Sequence, residues 1–107
     1  MQYNKLVRDR IPQIIRETGE EPVIRILSKA EYIIHLEQKL DEEVSEYHHD
    51  HNAEELADIL EVLFALAATH GVSEEELLRI RRKKRDLRGG FEDKVFLISK
   101  EKTLCTE

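Results

Sequence analysis

Four acidic side chains carry the clearest chemistry in this sequence: Glu43 and Glu46, then Glu55 and Asp58. Each pair is spaced i, i+3, so on a helix its two carboxylates share one side, a turn apart. Around the first pair, Tyr32, Ile33, Leu36, Leu40, Val44 and Tyr47 trace an apolar arc; Glu43 falls inside it, and Glu46 lies at its edge on the side of Lys39. Around the second, the arc comprises Leu56, Ile59, Leu60, Val62, Leu63 and Leu66, with Glu55 inside and Asp58 at the edge. The pairs are symmetric about a turn centred between Asp50 and His51. In an antiparallel helical hairpin Glu46 therefore faces Glu55, and Glu43 faces Asp58 one turn deeper. Carboxylates converging on an apolar seam repel one another and lose hydration, which a bound cation relieves. An all-oxygen ligand set suits Mg²⁺ or Mn²⁺ rather than zinc. Any one of these acids taken alone reads as an ordinary solvated carboxylate, and Glu55 also stands where a capping partner of Asn52 would. The matched register on two apolar faces favours the metal reading for the set.

The elements that must position these acids are helices. Ser28 with Glu31 has the spacing of a capping box and opens a helix to about residue 49; Asn52 caps a second, which Gly71 ends. Ser73 with Glu76 opens a third, closed by Gly89 and Gly90. Before them, Leu6, Val7, Ile11, Ile14 and Ile15 have helical spacing interrupted by Pro12, which predicts a helix over about 10–18 ended by Gly19. Two short apolar runs, 22–27 and 94–99, read as strands of a minimal two-stranded β-ribbon, which needs helices packed on it to persist in water. The fold class expected is all-α: one domain over 1–107, a helical hairpin with flanking helices, carrying that small ribbon.

Other residues invite chemistry less firmly. The segment 79–88 holds seven basic residues and one acid, which reads either as a phosphate or nucleic-acid site or as a solvated helix end that complements the helix dipole. Lys5, Arg8 and Arg10 near the N-terminus are similar candidates. His48, His49, Asp50 and His51 have adjacent spacing, so their side chains diverge, and they read as a polar turn rather than a metal site. Glu42 and Glu61 each lie one turn from a proposed ligand and are candidates for a general base or for support of the metal ligands. Cys105 is the only cysteine, which excludes an intrachain disulfide or a cysteine metal cluster; it reads as an inert thiol.

These residues together resemble the MazG-like all-α nucleotide pyrophosphohydrolase superfamily, which includes phosphoribosyl-ATP pyrophosphohydrolases and dimeric dUTPases. The likeness rests on Glu43-Val-Ser-Glu46 followed by Glu55-Leu-Ala-Asp58, within KLDEEVSE and EELADILEVL, which look like the family's two central helices. The opening YNKLVRDRIP and the closing RGGFEDKVFL look like one small branch of predicted house-cleaning enzymes, so the likeness runs from about Tyr3 to Leu97. The resemblance implies that Glu43, Glu46, Glu55 and Asp58 bind Mg²⁺. It further implies hydrolysis of a nucleoside triphosphate, or a related nucleotide, between the α and β phosphates, and four-helix bundles formed on dimerisation. It favours substrate phosphate as the partner of Lys84 and Arg88, which precede Gly89-Gly90, with Lys5, Arg8 and Lys39 as further substrate-binding candidates. Only eight residues separate Glu46 from Glu55, fewer than in many members of the family.

Composition sets the outer limits. A net charge of -6 argues against a surface built throughout for nucleic acid, so a nucleic-acid partner is not expected. The absence of a long apolar run predicts a soluble protein outside the membrane, and cysteine usage fits a cytoplasmic one. The rival expectation from another class is a helical interaction or regulatory module, in which the acids are merely polar and the basic helix 79–88 contacts nucleic acid.

Overall fold

In the computed structural model, which describes residues 3–103, the chain forms α1 (Ile11–Glu17), α2 (Lys29–Asp50), α3 (Ala53–Thr69) and α4 (Glu74–Arg88). Each start has a local cause. Pro12 sits in the first turn of α1, where its missing N–H leaves no bond unmade. Ser28 and Glu31 make the full capping box: the Glu31 N–H donates to Ser28 Oγ at 3.3 Å, and the Ser28 N–H donates to Glu31 Oε1 at 3.2 Å. Asn52 Oδ1 accepts from the Glu55 N–H at 3.0 Å, and Ser73 Oγ accepts from the Glu76 N–H at 3.1 Å. The tight turn between α2 and α3 closes on His51, a non-glycine residue held at φ 52°.

The cap of α2 carries a prediction. Arg25 Nη2 lies 2.8 Å from Glu31 Oε2, and this hydrogen bond, with those to Ser28, pulls the Glu31 carboxyl from its usual 4.5 down to about 2. The folded value lies below the unfolded one, so its contribution to stability is present above about pH 4.5 and is lost as pH falls through about 2. A carbon-detected NMR titration is expected to place the Glu31 midpoint near that lower value, and Arg25→Ala is expected to move it upward.

α2 and α3 pack along their length as the hairpin. Among the described residues only Leu36, Val62, Ala67 and Glu43 are buried, and none completely. The apolar arc of α3 is wider than the surface α2 covers, so Leu56, Leu60 and Leu63, an i, i+4, i+7 stripe, remain 49, 45 and 38% exposed. α4 leaves α3 through a turn at 105° and rests against it only near the corner. The result is elongated, 77 × 31 × 21 Å, with a radius of gyration of 20.1 Å, where a compact domain of this length has about 13 Å. Its accessible surface is 10174 Å², against about 6,200 Å² for a typical folded monomer of this mass.

The expected ribbon does not form within the chain. The described residues contain no strand, residues 22–27 and 94–99 included, and Lys94 turns the backbone at φ 58°. No single helix among the described residues is long and apolar enough to cross a membrane. Cys105 lies outside the described residues.

Candidate functional site

The hairpin places Glu43 on the inner face of α2 opposite Glu55 and Asp58 on α3. One carboxylate oxygen from each of the three lies within 4.8 Å of the others, the only such grouping of metal-capable side chains among the described residues. Glu46 is exposed and outside the triad, yet close enough to Glu55 to repel it. Both facing relations expected from the register are therefore present, with the deeper pair joined by Glu55.

Two oxygens in this group stand out. Glu43 Oε2 and Glu55 Oε2 are buried and have no hydrogen-bond partner. A buried acceptor left unmade is costly, more so when charged, so native proteins keep few of them. Glu55 is not explained by capping, because only its backbone N–H serves Asn52 while its carboxyl turns into the seam. Loss of hydration, then repulsion from Glu46, Asp50 and Asp58, pushes that carboxyl above the usual range. The donors are all carboxylate oxygens, the set that hard divalent cations take.

Basic side chains hold one oxygen of Glu43 and one of Asp58. Lys39 Nζ lies 3.2 Å from Glu43 Oε1 and 3.2 Å from Glu42 Oε2. Burial alone would lower the Lys39 ammonium, but the bonds to Glu43 and Glu42 outweigh it and hold it above the usual lysine range. Arg8 Nη2 donates to Asp58 Oδ1 at 2.7 Å, and Lys5 Nζ donates to Glu42 Oε1 at 3.3 Å. These contacts strap the N-terminal segment across the hairpin. Beneath it lies a cleft of about 240 Å³, with Arg8, Lys39, Glu43, Asp58 and Glu61 at its polar part and Leu6, Tyr32, Leu36, Val62 and Ala65 as apolar wall.

Three of the expected phosphate-binding residues, Lys5, Arg8 and Lys39, are thus gathered at the acids, as their counter-ions. Lys84 and Arg88 are not. They lie on the exposed outer part of α4, on the order of 20 Å from the triad by helix rise and the corner angle. Arg10 is the exposed residue preceding α1. Of the two candidate bases, Glu42 is clamped: burial would raise it, but Lys39 and Lys5 hold it below the usual range. Glu61 is exposed and lines the cleft. Of the residues expected to form a polar turn, His48, His49 and Asp50 form the last turn of α2, and only His51 lies beyond it, as the C-cap. His49 Nδ1 meets Asp50 Oδ1 at 2.6 Å, while Tyr47 packs edge-on against His48 and His51.

Sequence reasoning overlooked Tyr32 as a cleft residue, although it precedes Glu43 by eleven positions, three helical turns on the same face. It also overlooked Asp9, which lines the cleft beside Arg8 and carries no periodic signal.

No family model matches the chain, and no solved structure matches it. A stretch of 42 residues, 39% of the chain, is 62% identical to a Mycolicibacterium smegmatis protein described as uncharacterized, and covers 43% of that protein's length. The match therefore spans less than half of either chain.

Proposed function

We propose that the protein is a divalent-metal-dependent nucleotide pyrophosphohydrolase that cleaves a nucleoside triphosphate, or a related nucleotide, between the α and β phosphates. The observation that carries this reading is the pair of buried, partnerless oxygens on Glu43 and Glu55, set beside Asp58. Carboxylate oxygens buried without a partner are a poor way to stabilise a small hairpin and a good way to hold a cation. Glu43, Glu55 and Asp58 would hold Mg²⁺ or Mn²⁺, with Glu46 as an outer fourth ligand, and the ion would supply neutralisation of phosphate charge and activation of water.

The remaining roles follow from the side chains in the cleft. The apolar wall of Tyr32, Leu36, Val62 and Ala65 suits a base or sugar, and Arg8 and Lys39 stand where phosphates would lie. Glu61, accessible and unclamped, is the better group to take a proton from the attacking water. Glu42 serves to hold Lys5 and Lys39 in place. The resemblance to pyrophosphohydrolases supplies the bond that is cleaved; the exposed Leu56, Leu60 and Leu63 stripe supports the helix bundle that the same resemblance implies for a homodimer.

The test is a pyrophosphate-release screen over ordinary and modified nucleotides with Mg²⁺ or Mn²⁺. Release from at least one nucleotide is expected. Glu61→Gln is expected to lower kcat by roughly 100-fold, and Glu42→Gln to raise KM by less than roughly tenfold with kcat little changed. Silence across the panel, together with salt-sensitive nucleic-acid binding, would favour the exposed basic face of α4 as the working surface.

A further inference from the structure

The segment ahead of α1 reaches the carboxylate triad through one side chain. Arg8 Nη2 donates to Asp58 Oδ1 at 2.7 Å, so one of the three acids that could hold a cation already carries a guanidinium. The bond is short but not sheltered: the two side chains are 55 and 40% exposed, and an ion pair open to water is held weakly. Little else fastens the segment. Among the described residues, no backbone-to-backbone hydrogen bond joins residues 5–9 to α2 or α3. None of the five is in a helix or strand, and only Leu6 is partly covered. Lys5 adds a second open ion pair, to Glu42 at 3.3 Å. Lys39, by contrast, rises from α2 and is anchored between Glu42 and Glu43.

Charge gives the Arg8 contact its meaning. Four acids, Glu42, Glu43, Glu55 and Asp58, meet three cations, Lys5, Lys39 and Arg8, so the group as it stands carries one negative charge. With Arg8 withdrawn it carries two, the charge that a divalent cation balances.

We infer, on the reading of these acids as a metal site, that Arg8 is a latch exchanged between Asp58 and a substrate phosphate: it holds Asp58 until a metal-bound polyphosphate arrives, then yields the carboxylate to the cation and takes a phosphate oxygen instead.

A guanidinium and a divalent cation on one carboxylate repel each other at close range, so Arg8 opposes the binding of metal alone. Its departure forfeits a charged hydrogen bond. A phosphate oxygen returns one of the same kind, because the guanidinium fork fits phosphate as it fits carboxylate. A free cation returns nothing to Arg8. The exchange needs only a small movement, since Arg8, Asp58 and Lys39 all line the same cleft. Metal and polyphosphate therefore bind with positive coupling, part of which passes through Arg8. Arg8 is in this sense a positioning residue for the cation as well as a phosphate ligand.

The experiment counts free Mn²⁺ by electron paramagnetic resonance in titrations of the full chain, Arg8→Gln and Arg8→Lys. Arg8→Gln is expected to bind Mn²⁺ roughly fivefold more tightly than the parent, the scale of one open ion pair. Arg8→Lys keeps the charge and is expected to stay within about twofold of the parent. Calorimetry with inorganic tripolyphosphate in excess Mg²⁺ is expected to reverse the order, with Arg8→Gln weaker by roughly tenfold. Mn²⁺ binding by Arg8→Gln that is unchanged or weaker would make Arg8 a support for Asp58 and overturn the inference. Unchanged tripolyphosphate affinity would overturn it too. Either result leaves the metal reading in place where the parent binds Mn²⁺ and Glu55→Gln does not. A parent that binds no Mn²⁺ would overturn both.

Discussion

Glu55→Gln is expected to raise the melting temperature of the protein in chelator and to abolish the rise that Mg²⁺ produces, so that parent and variant exchange rank when the metal is added. The first half follows from the seam itself. Glu55 Oε2 is buried without a partner, and the carboxyl is pushed up by lost hydration and by Glu46, Asp50 and Asp58. An amide keeps the shape and removes the charge that its neighbours repel. The second half follows from linkage: a ligand that binds only the folded state stabilises it by about 2.7 kcal/mol at one hundred times its Kd. Removing a ligand carboxylate removes that increment. Activity is expected to fall roughly 1,000-fold, the scale of losing charge neutralisation at the reacting phosphate. A carboxylate that was merely structural would give one ranking in both buffers. Differential scanning fluorimetry across a Mg²⁺ series, run beside the pyrophosphate assay on the same samples, separates the two.

The parts of this site that were legible in the sequence are those set by period and by local capping. Ser28, Asn52 and Ser73 stand one residue before the helices they open, and the helix starts follow from hydrogen bonds that reach only three residues along the chain. The opposition of Glu43 with Asp58 followed from the same regularity, because two helices joined by a turn of fixed length have only one antiparallel register. The angle of a corner has no such periodic signature. Lys84 and Arg88 were placed at the site by their neighbourhood to Gly89-Gly90, yet the turn after α3 sends α4 off at 105° and carries them away. The Arg8–Asp58 contact joins residues 50 positions apart through an irregular segment, so nothing in local pattern announces it. The ribbon failed for a related reason. An apolar run states that something must cover it, while the identity of the covering surface is a tertiary or quaternary fact.

Lys39 ties these levels together, and its replacement is expected to give the opposite signature to that of Glu55. Among the described residues its ammonium is the single cation within reach of both Glu42 and Glu43, at 3.2 Å from each, and its side chain is only 17% exposed. Lys39→Met keeps most of the apolar stem against Leu36 and the cleft wall but leaves Glu43 with neither oxygen compensated. Breaking a fully buried pair by removing one partner costs 3–5 kcal/mol; with the ammonium partly solvated, about 2 kcal/mol is expected. For a chain of this size that corresponds to a fall of about 8–15 °C in Tm in chelator. Mg²⁺ is expected to recover more of the loss in this variant than it adds to the parent, because the ion would then replace the missing positive charge as well as bind. A second change, Glu43→Gln on the Lys39→Met background, is expected to restore stability in chelator and to remove the metal response. The coupling free energy of that cycle measures how far Lys39 acts through Glu43. Additive single effects, with no change in the metal increment, would place Lys39 outside the electrostatics of the carboxylate group and leave Glu43 to be stabilised by some other neighbour.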